Sequence, residues 1–98
     1  MIYIHRKIKS PLKDGVEIGE EIKRNVGRAS LIIFITSIYD KEKLKQVFEG
    51  MKQQIPLDNL IGCTSGGTFV GNNYIKKDGV LILAFDEHYK SAISCENV

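Results

Sequence analysis

At 98 residues, with 43% hydrophobic and 27% charged side chains, the chain has the size and balance of one ordinary globular domain. A net charge of +2 is too small to imply a polyanionic partner, and no apolar run approaches the roughly 20 residues that span a bilayer. Cys63 and Cys95 lack the paired spacing of a disulfide framework or a zinc site, so reduced thiols in a cytoplasmic protein are expected. The basic N-terminal residues Arg6, Lys7, Lys9 and Lys13 are not interleaved with aromatics and glycines, which argues against a nucleic-acid module.

Met1 to Lys9 alternates, with Ile2, Ile4 and Ile8 on one face and Tyr3, His5, Lys7 and Lys9 on the other. That pattern predicts a half-exposed strand at a sheet edge, solvated at its outer end by Arg6 and ended by Ser10-Pro11. Asp14 is placed to cap a helix over Gly15 to Val26, with Glu17 three residues on and Ile18, Ile22 and Val26 as its apolar stripe. Gly27 suits its left-handed end. Leu31 to Ser37 is nearly continuously apolar and reads as a central strand covered on both faces. Asp40 then caps a second helix whose buried face is Leu44, Val47, Phe48, Met51 and Ile55, weakened slightly by Gly50 and stopped by Pro56.

Leu60 to Phe69 begins as an apolar strand and breaks into a loop of small residues. Val70 to Tyr74 is turn-rich, and Lys76-Lys-Asp-Gly79 is a tight-turn signal. Val80 to Phe85 is a second strongly buried strand, Asp86 to Lys90 a connector, and Ser91 to Cys95 a last short strand. The expected fold is α/β: two helices layered on a mixed five-stranded sheet, in the order β-α-β-α-β-β-β. It has a parallel β-α-β core and an antiparallel C-terminal hairpin. Strands this apolar on both sides also predict a sheet face that meets another subunit, hence homodimer or other homo-oligomer formation.

The candidate site is the glycine-rich loop. Gly62, Cys63, Thr64, Ser65, Gly66 and Gly67 follow the end of a parallel strand, where α/β sheets bind ligands. Glycines let successive N–H groups face one concavity, and Thr64, Ser65 and Thr68 add hydroxyls. Asn72, Asn73 and Tyr74 stand to line a pocket beside it, although Asn-Asn is first of all a turn former. The loop is neither a P-loop nor a dinucleotide fingerprint, and the bland reading is a packing turn. Cys63 as a nucleophile would need His5 or His88 as its base, and neither has a sequence context that brings it close; a small residue at a strand end is the simpler account. Asp86, Glu87 and His88 do not have a metal-ligand spacing. No catalytic residue, metal or cofactor is expected.

The order of a buried strand Leu31-Ile-Ile-Phe-Ile-Thr-Ser37, a helix, Leu60-Ile-Gly-Cys-Thr-Ser-Gly-Gly-Thr-Phe69 and the strand Val80 to Phe85 resembles the N-terminal part of the FIST sensory domain. That family carries Gly-Cys-Ser/Thr-Ser/Thr-Ala-Gly-Glu after such a strand, and Gly62, Cys63, Thr64, Ser65 and Gly67 match it. Gly66 replaces the alanine, and Thr68 stands where an acidic residue is common. The resemblance covers residues 30 to 95 and implies a single domain over 1–98 that is a reduced or partial version of the family's. It implies a small-ligand sensory module for compounds such as amino acids, attached to signalling partners, and not an enzyme. The contrasting expectation is a structural or protein-interaction subunit that oligomerises through an exposed sheet face, with a thiol-dependent activity at Cys63 a distant third.

Overall fold

The computed structural model describes residues 1–86. The expected strand at Ser91 to Cys95, its hairpin with Val80 to Phe85, and His88 and Cys95 themselves lie outside the described residues. Strand β1 (Ile2–Lys7) alternates as its sequence dictates, with Ile4 buried and Tyr3 and Lys7 exposed. Helix α1 (Pro11–Asn25) starts four residues before Gly15, the first helical residue expected from an Asp14 cap. Proline at the first helical position gives up an N–H that has no partner there anyway, so Ser10-Pro11 opens the helix as well as closing the strand. Asp14 satisfies the helix start from inside the first turn: Lys9 and Ser10 N–H donate to its Oδ2 at 2.7 and 2.9 Å. Arg6 is not a solvated strand end. It donates to Asp14 Oδ1 at 2.8 Å and reaches Glu17 at 3.4 Å, tying β1 to α1.

Strand β2 (Leu31–Thr36) is followed by α2 (Lys41–Lys52), capped as expected by Asp40, whose carboxylate accepts from Glu42 N–H at 3.0 Å. Then come β3 (Leu60–Thr64), β4 (Thr68–Val70), β5 (Asn73–Ile75) and β6 (Gly79–Phe85). The main sheet has four strands in the order β1-β6-β2-β3. The α2 crossover makes β2 and β3 parallel, and β6 lies antiparallel between β1 and β2. The α/β layering and the parallel β-α-β core are those read from the sequence. Where the sequence reads as a turn-rich passage, β4 and β5 form a two-stranded ribbon of their own. Its two-residue loop is Gly71-Asn72, with Gly71 at φ 60°, the positive φ that a type II′ hairpin turn requires at that position.

Both helices lie on one face of the sheet. Ile18 and Ile22 of α1 and Val47 and Met51 of α2 pack with Ile4, Ile32, Phe34 and Ile82 into a single core. Phe34 and Phe48 meet at 4.9 Å between ring centroids. The two helices cross with almost no side chain between them, at Gly15 and Gly50. The sheet's other face is not covered to the same degree, contrary to the two-sided burial expected of β2. Its alternate residues Leu31, Ile33 and Ile35 are only half-buried, and Ile61 of β3 is 62% exposed.

The Lys76–Gly79 turn is locked at one end of the sheet. Ile8 N–H donates to Asp78 O at 2.7 Å, Gly79 N–H to Ser37 Oγ at 2.9 Å, and Thr36 Oγ1 to Gly79 O at 3.0 Å. Asp78, at φ 57°, is held there by Lys43 at 3.1 Å. These bonds explain why the apolar β2 ends at Thr36 and is followed by Ser37, both buried, and they fix Gly79 as a platform for the ribbon. Among the described residues no helix is long and apolar enough to cross a membrane.

Candidate functional site

The chain leaves β3 through residues 65–67 and enters the ribbon directly. Ser65 N–H donates to Thr36 O at 2.9 Å, its Oγ donates to Gly67 O at 2.6 Å, and Tyr39 Oη donates to its carbonyl. The loop is thus a turn closed by its own serine, and that hydroxyl is committed before any ligand arrives. Gly66 has open space around it. At Gly67 an added Cβ would meet the Tyr74 ring, 2.7 Å from Cε1, so the absent side chain is what lets Tyr74 lie over the loop.

The ribbon folds back over the outer sheet face where β1 and β6 run together. Thr68, 2% exposed, places Oγ1 2.9 Å from His5 Nε2. Gly79 gives room for this approach: a Cβ there would stand 2.6 Å from Thr68 Oγ1 and 2.6 Å from Ile75 Cγ2. Between the ribbon and β1 remains an open cleft of about 610 Å³ lined by Tyr3, His5, Val70, Asn72, Tyr74 and Ile75. Its lining mixes an imidazole, an amide and two phenols with two branched apolar side chains, a composition suited to a small polar molecule.

The nine residues singled out in the sequence divide between places. Asn72 lines the cleft, Thr68 sits under it through His5, and Gly67 supports Tyr74 at its margin. Gly62, Cys63 and Thr64 belong to β3 and border a different recess, an apolar slot of about 340 Å³ beneath α2 with Phe34, Leu44, Phe48 and Leu60. Ser65 and Gly66 form the turn between them, and Asn73 pairs through its backbone with Val70. Tyr3 and His5 are the cleft residues that sequence reasoning did not connect with the loop. The available signal was their shared outward face on β1, which marks them as exposed and says nothing of what covers them.

Cys63 is an exposed free thiol. His5 and Cys63 stand on the two outermost strands, three strand spacings or about 14 Å apart, so His5 cannot act as its base. Among the described residues no three His, Cys, Asp or Glu side chains gather as a metal site.

The FIST N domain matches residues 30–97. An uncharacterized protein of Methanocaldococcus jannaschii, MJ1623, is 82% identical over 98 residues, which is 100% of this chain and 19% of the relative. The chain therefore spans about a fifth of the length of the curated relative it matches. No solved structure matches.

Proposed function

This chain belongs to the FIST N domain family, a family of sensory domains, and on that premise we propose that it is a small-ligand-binding input module for signal transduction, working in the cytoplasm. The observation that carries the reading is the position of the ribbon. It follows directly from the signature loop and roofs a cleft whose β1 wall is Tyr3 and His5, with His5 joined to Thr68 of the ribbon. A ligand the size of an amino acid enters beside Asn72 and Tyr74, with Tyr3 and Tyr74 as apolar walls. The nine-residue site read from the sequence thereby narrows to Gly67, Thr68 and Asn72, together with the Tyr74 expected beside them and with His5 added, while Gly62, Cys63 and Thr64 act as the strand that delivers the loop.

Transmission follows from how lightly the ribbon is held. Its described anchors are the His5–Thr68 contact, the packing of Thr68 and Ile75 on Gly79, and Tyr74 on Gly67. A ligand that bridges ribbon and β1 favours the docked ribbon over alternatives, and a partner signalling protein reads that difference. The module binds its ligand without transforming it, a reading in keeping with His5 standing on the opposite edge of the sheet from Cys63.

The test is a thermal-shift screen of amino acids, nucleotides and small anions. A ligand at a hundred times its Kd adds about 2.7 kcal/mol, a shift of many degrees for a domain of this size. Asn72→Ala and Gly67→Val, which displaces the Tyr74 ring, abolish the shift while far-UV circular dichroism is unchanged. A screen with no shift, or a shift indifferent to both variants, removes the basis of this reading. The outer sheet face supports a second reading, a protein-interaction subunit: Ile61 and Tyr3 are 62% and 56% exposed, and half-buried Ile33, Ile35, Leu81 and Leu83 lie between them. Under it, Leu83→Asp abolishes partner binding and no small molecule shifts the melt.

A further inference from the structure

The strand that carries the signature is also an edge. Among the described residues β3 pairs with β2 on one side only, and the sheet order ends there. Ile32 N–H donates to Asn59 O at 2.9 Å, and Ser65 N–H donates to Thr36 O at 2.9 Å. In a parallel ladder alternate residues of a strand turn their N–H and C=O toward the same neighbour. The odd-numbered residues of β3 therefore bond β2, and Leu60, Gly62 and Thr64 turn their backbone groups outward. Nothing in Leu-Ile-Gly-Cys-Thr protects that edge, for it holds no charge and no proline. The other outermost strand, β1, carries Arg6 and Lys7 and has the ribbon against it at His5. Natural sheets blunt the edges they do not use, and here one edge is blunted and the other is not.

We propose that β3 pairs antiparallel with β3 of a second copy, about a two-fold axis at Gly62, to join two four-stranded sheets into one. Self-complementarity singles out a second copy as the occupant. With the axis at Gly62, Gly62 opposes the partner's Gly62 and Leu60 opposes the partner's Thr64, so every outward N–H and C=O of the strand is exchanged. An axis one residue to either side leaves one of the three outward residues without a mate in the strand. The axis also falls where the same residue of each copy must meet itself, and there β3 has no side chain. On the outer face Ile61 meets the partner's Cys63, which covers an isoleucine now 62% exposed. On the helix face the apolar slot beside Leu44 and Phe48 lies along the seam, where the partner's Leu60 adds apolar surface. Backbone bonds supply the affinity and the flanking side chains fix the register, as in other strand-addition interfaces.

The register makes the proposal testable by cross-linking. Residues 61 and 63 of opposite copies form a non-hydrogen-bonded pair, whose Cα separation of about 4.5 Å lies within disulfide range. In a Cys95→Ser background, Ile61→Cys under mild oxidation gives a disulfide-linked dimer on non-reducing gels. Tyr3→Cys, a similarly exposed position on the far edge, gives no linked band on the same gels. The parent chain shows twice its 11.0 kDa mass by light scattering at high concentration. Gly62→Pro abolishes this dimer without disturbing the β2 ladder, because the N–H it removes points outward. Ile61→Lys, a substitution at an exposed side chain that leaves the backbone intact, abolishes it too. A chain that stays monomeric at high concentration overturns the proposal. So does a dimer that survives Ile61→Lys, or one that cross-links equally through Tyr3→Cys; the second result would put the contact on the outer sheet face.

Discussion

Alanine at Gly50 or Gly15 tests the packing of the helical layer. Glycine inside a helix is ordinarily a weakness, and replacing it with alanine should add about 0.5–1 kcal/mol. Here the space for a methyl group is occupied by backbone. A Cβ on Gly50 would stand 2.7 Å from Val16 N and 2.9 Å from Gly15 C, and closer still to Leu12 O. A Cβ on Gly15 would stand 2.9 Å from Val47 C, with Val47 O nearer. Backbone cannot rotate aside, so α1 and α2 must separate by about 1 Å, which forfeits a quarter to a half of each dispersion contact along the seam. Overpacking of this kind costs about 1–3 kcal/mol. The clash outweighs the propensity gain, leaving a net loss of about 1–2 kcal/mol and a fall in Tm of roughly 5–15 °C for a domain of this size. Urea and thermal unfolding followed by circular dichroism measure it, with Gly66→Ala as the control because nothing lies within 4 Å of its added Cβ. The double variant Gly15→Ala/Gly50→Ala should lose less than the sum of the two, since the helices part only once. A Tm that rises in either single variant refutes the close crossing.

Asp14→Ala should destabilise by about 2 kcal/mol, because one carboxylate serves Arg6 and the Lys9 and Ser10 N–H groups; a chemical melt within 0.5 kcal/mol of the parent would contradict that. Thr68→Val keeps the side-chain volume and removes the hydroxyl facing His5, a loss of about 1 kcal/mol. Amide exchange in β4 and β5 should quicken while the α1 and α2 amides keep their protection, and uniform quickening would count against a separately anchored ribbon. Gly79→Ala drives a methyl group into Thr68 and Ile75, so the ligand-induced thermal shift disappears and the ribbon amides lose protection. Retention of the shift in that variant would mean that the cleft is not the binding site.

Much of the layering was legible because it is written in periodicity. The four-residue recurrence of Ile18 and Ile22, the stripe through Val47 and Met51 and the cap at Asp40 all describe contacts within a turn or two of the chain. What was not legible depends on distant partners. Asp14 reads equally well as a cap or as a first-turn residue, and Arg6, eight positions away, decides between them. Gly50 looks like a defect until Leu12 is seen against it. The insertion of β6 between β1 and β2 has no local mark. Strands of three residues, such as β4 and β5, are too short for alternation to announce, so only their turn chemistry was visible. The cleft suffered most, since its decisive contact joins residues 63 positions apart.

The two faces of the sheet explain why the proposed site falls on the side of the ribbon. The helix face is sealed by a core of fully buried side chains, and substitutions there act on the whole fold. Among the described residues the outer face carries the ribbon alone, anchored at a few points, so the ribbon's opening free energy lies well below that of the global transition. The proposed ligand site uses that pairing: a rigid surface, supplied by Tyr3 and His5 on β1, opposed to an element light enough for a small ligand to bias. The glycines of the signature loop serve it mechanically. Gly67 accepts the Tyr74 ring, Ser65 closes the turn, and together they aim the ribbon back across the sheet at Gly79. The departure at Thr68 is then intelligible in this chain, because a carboxylate so buried beside Gly79 would need a charged partner, whereas a threonine hydroxyl needs only His5.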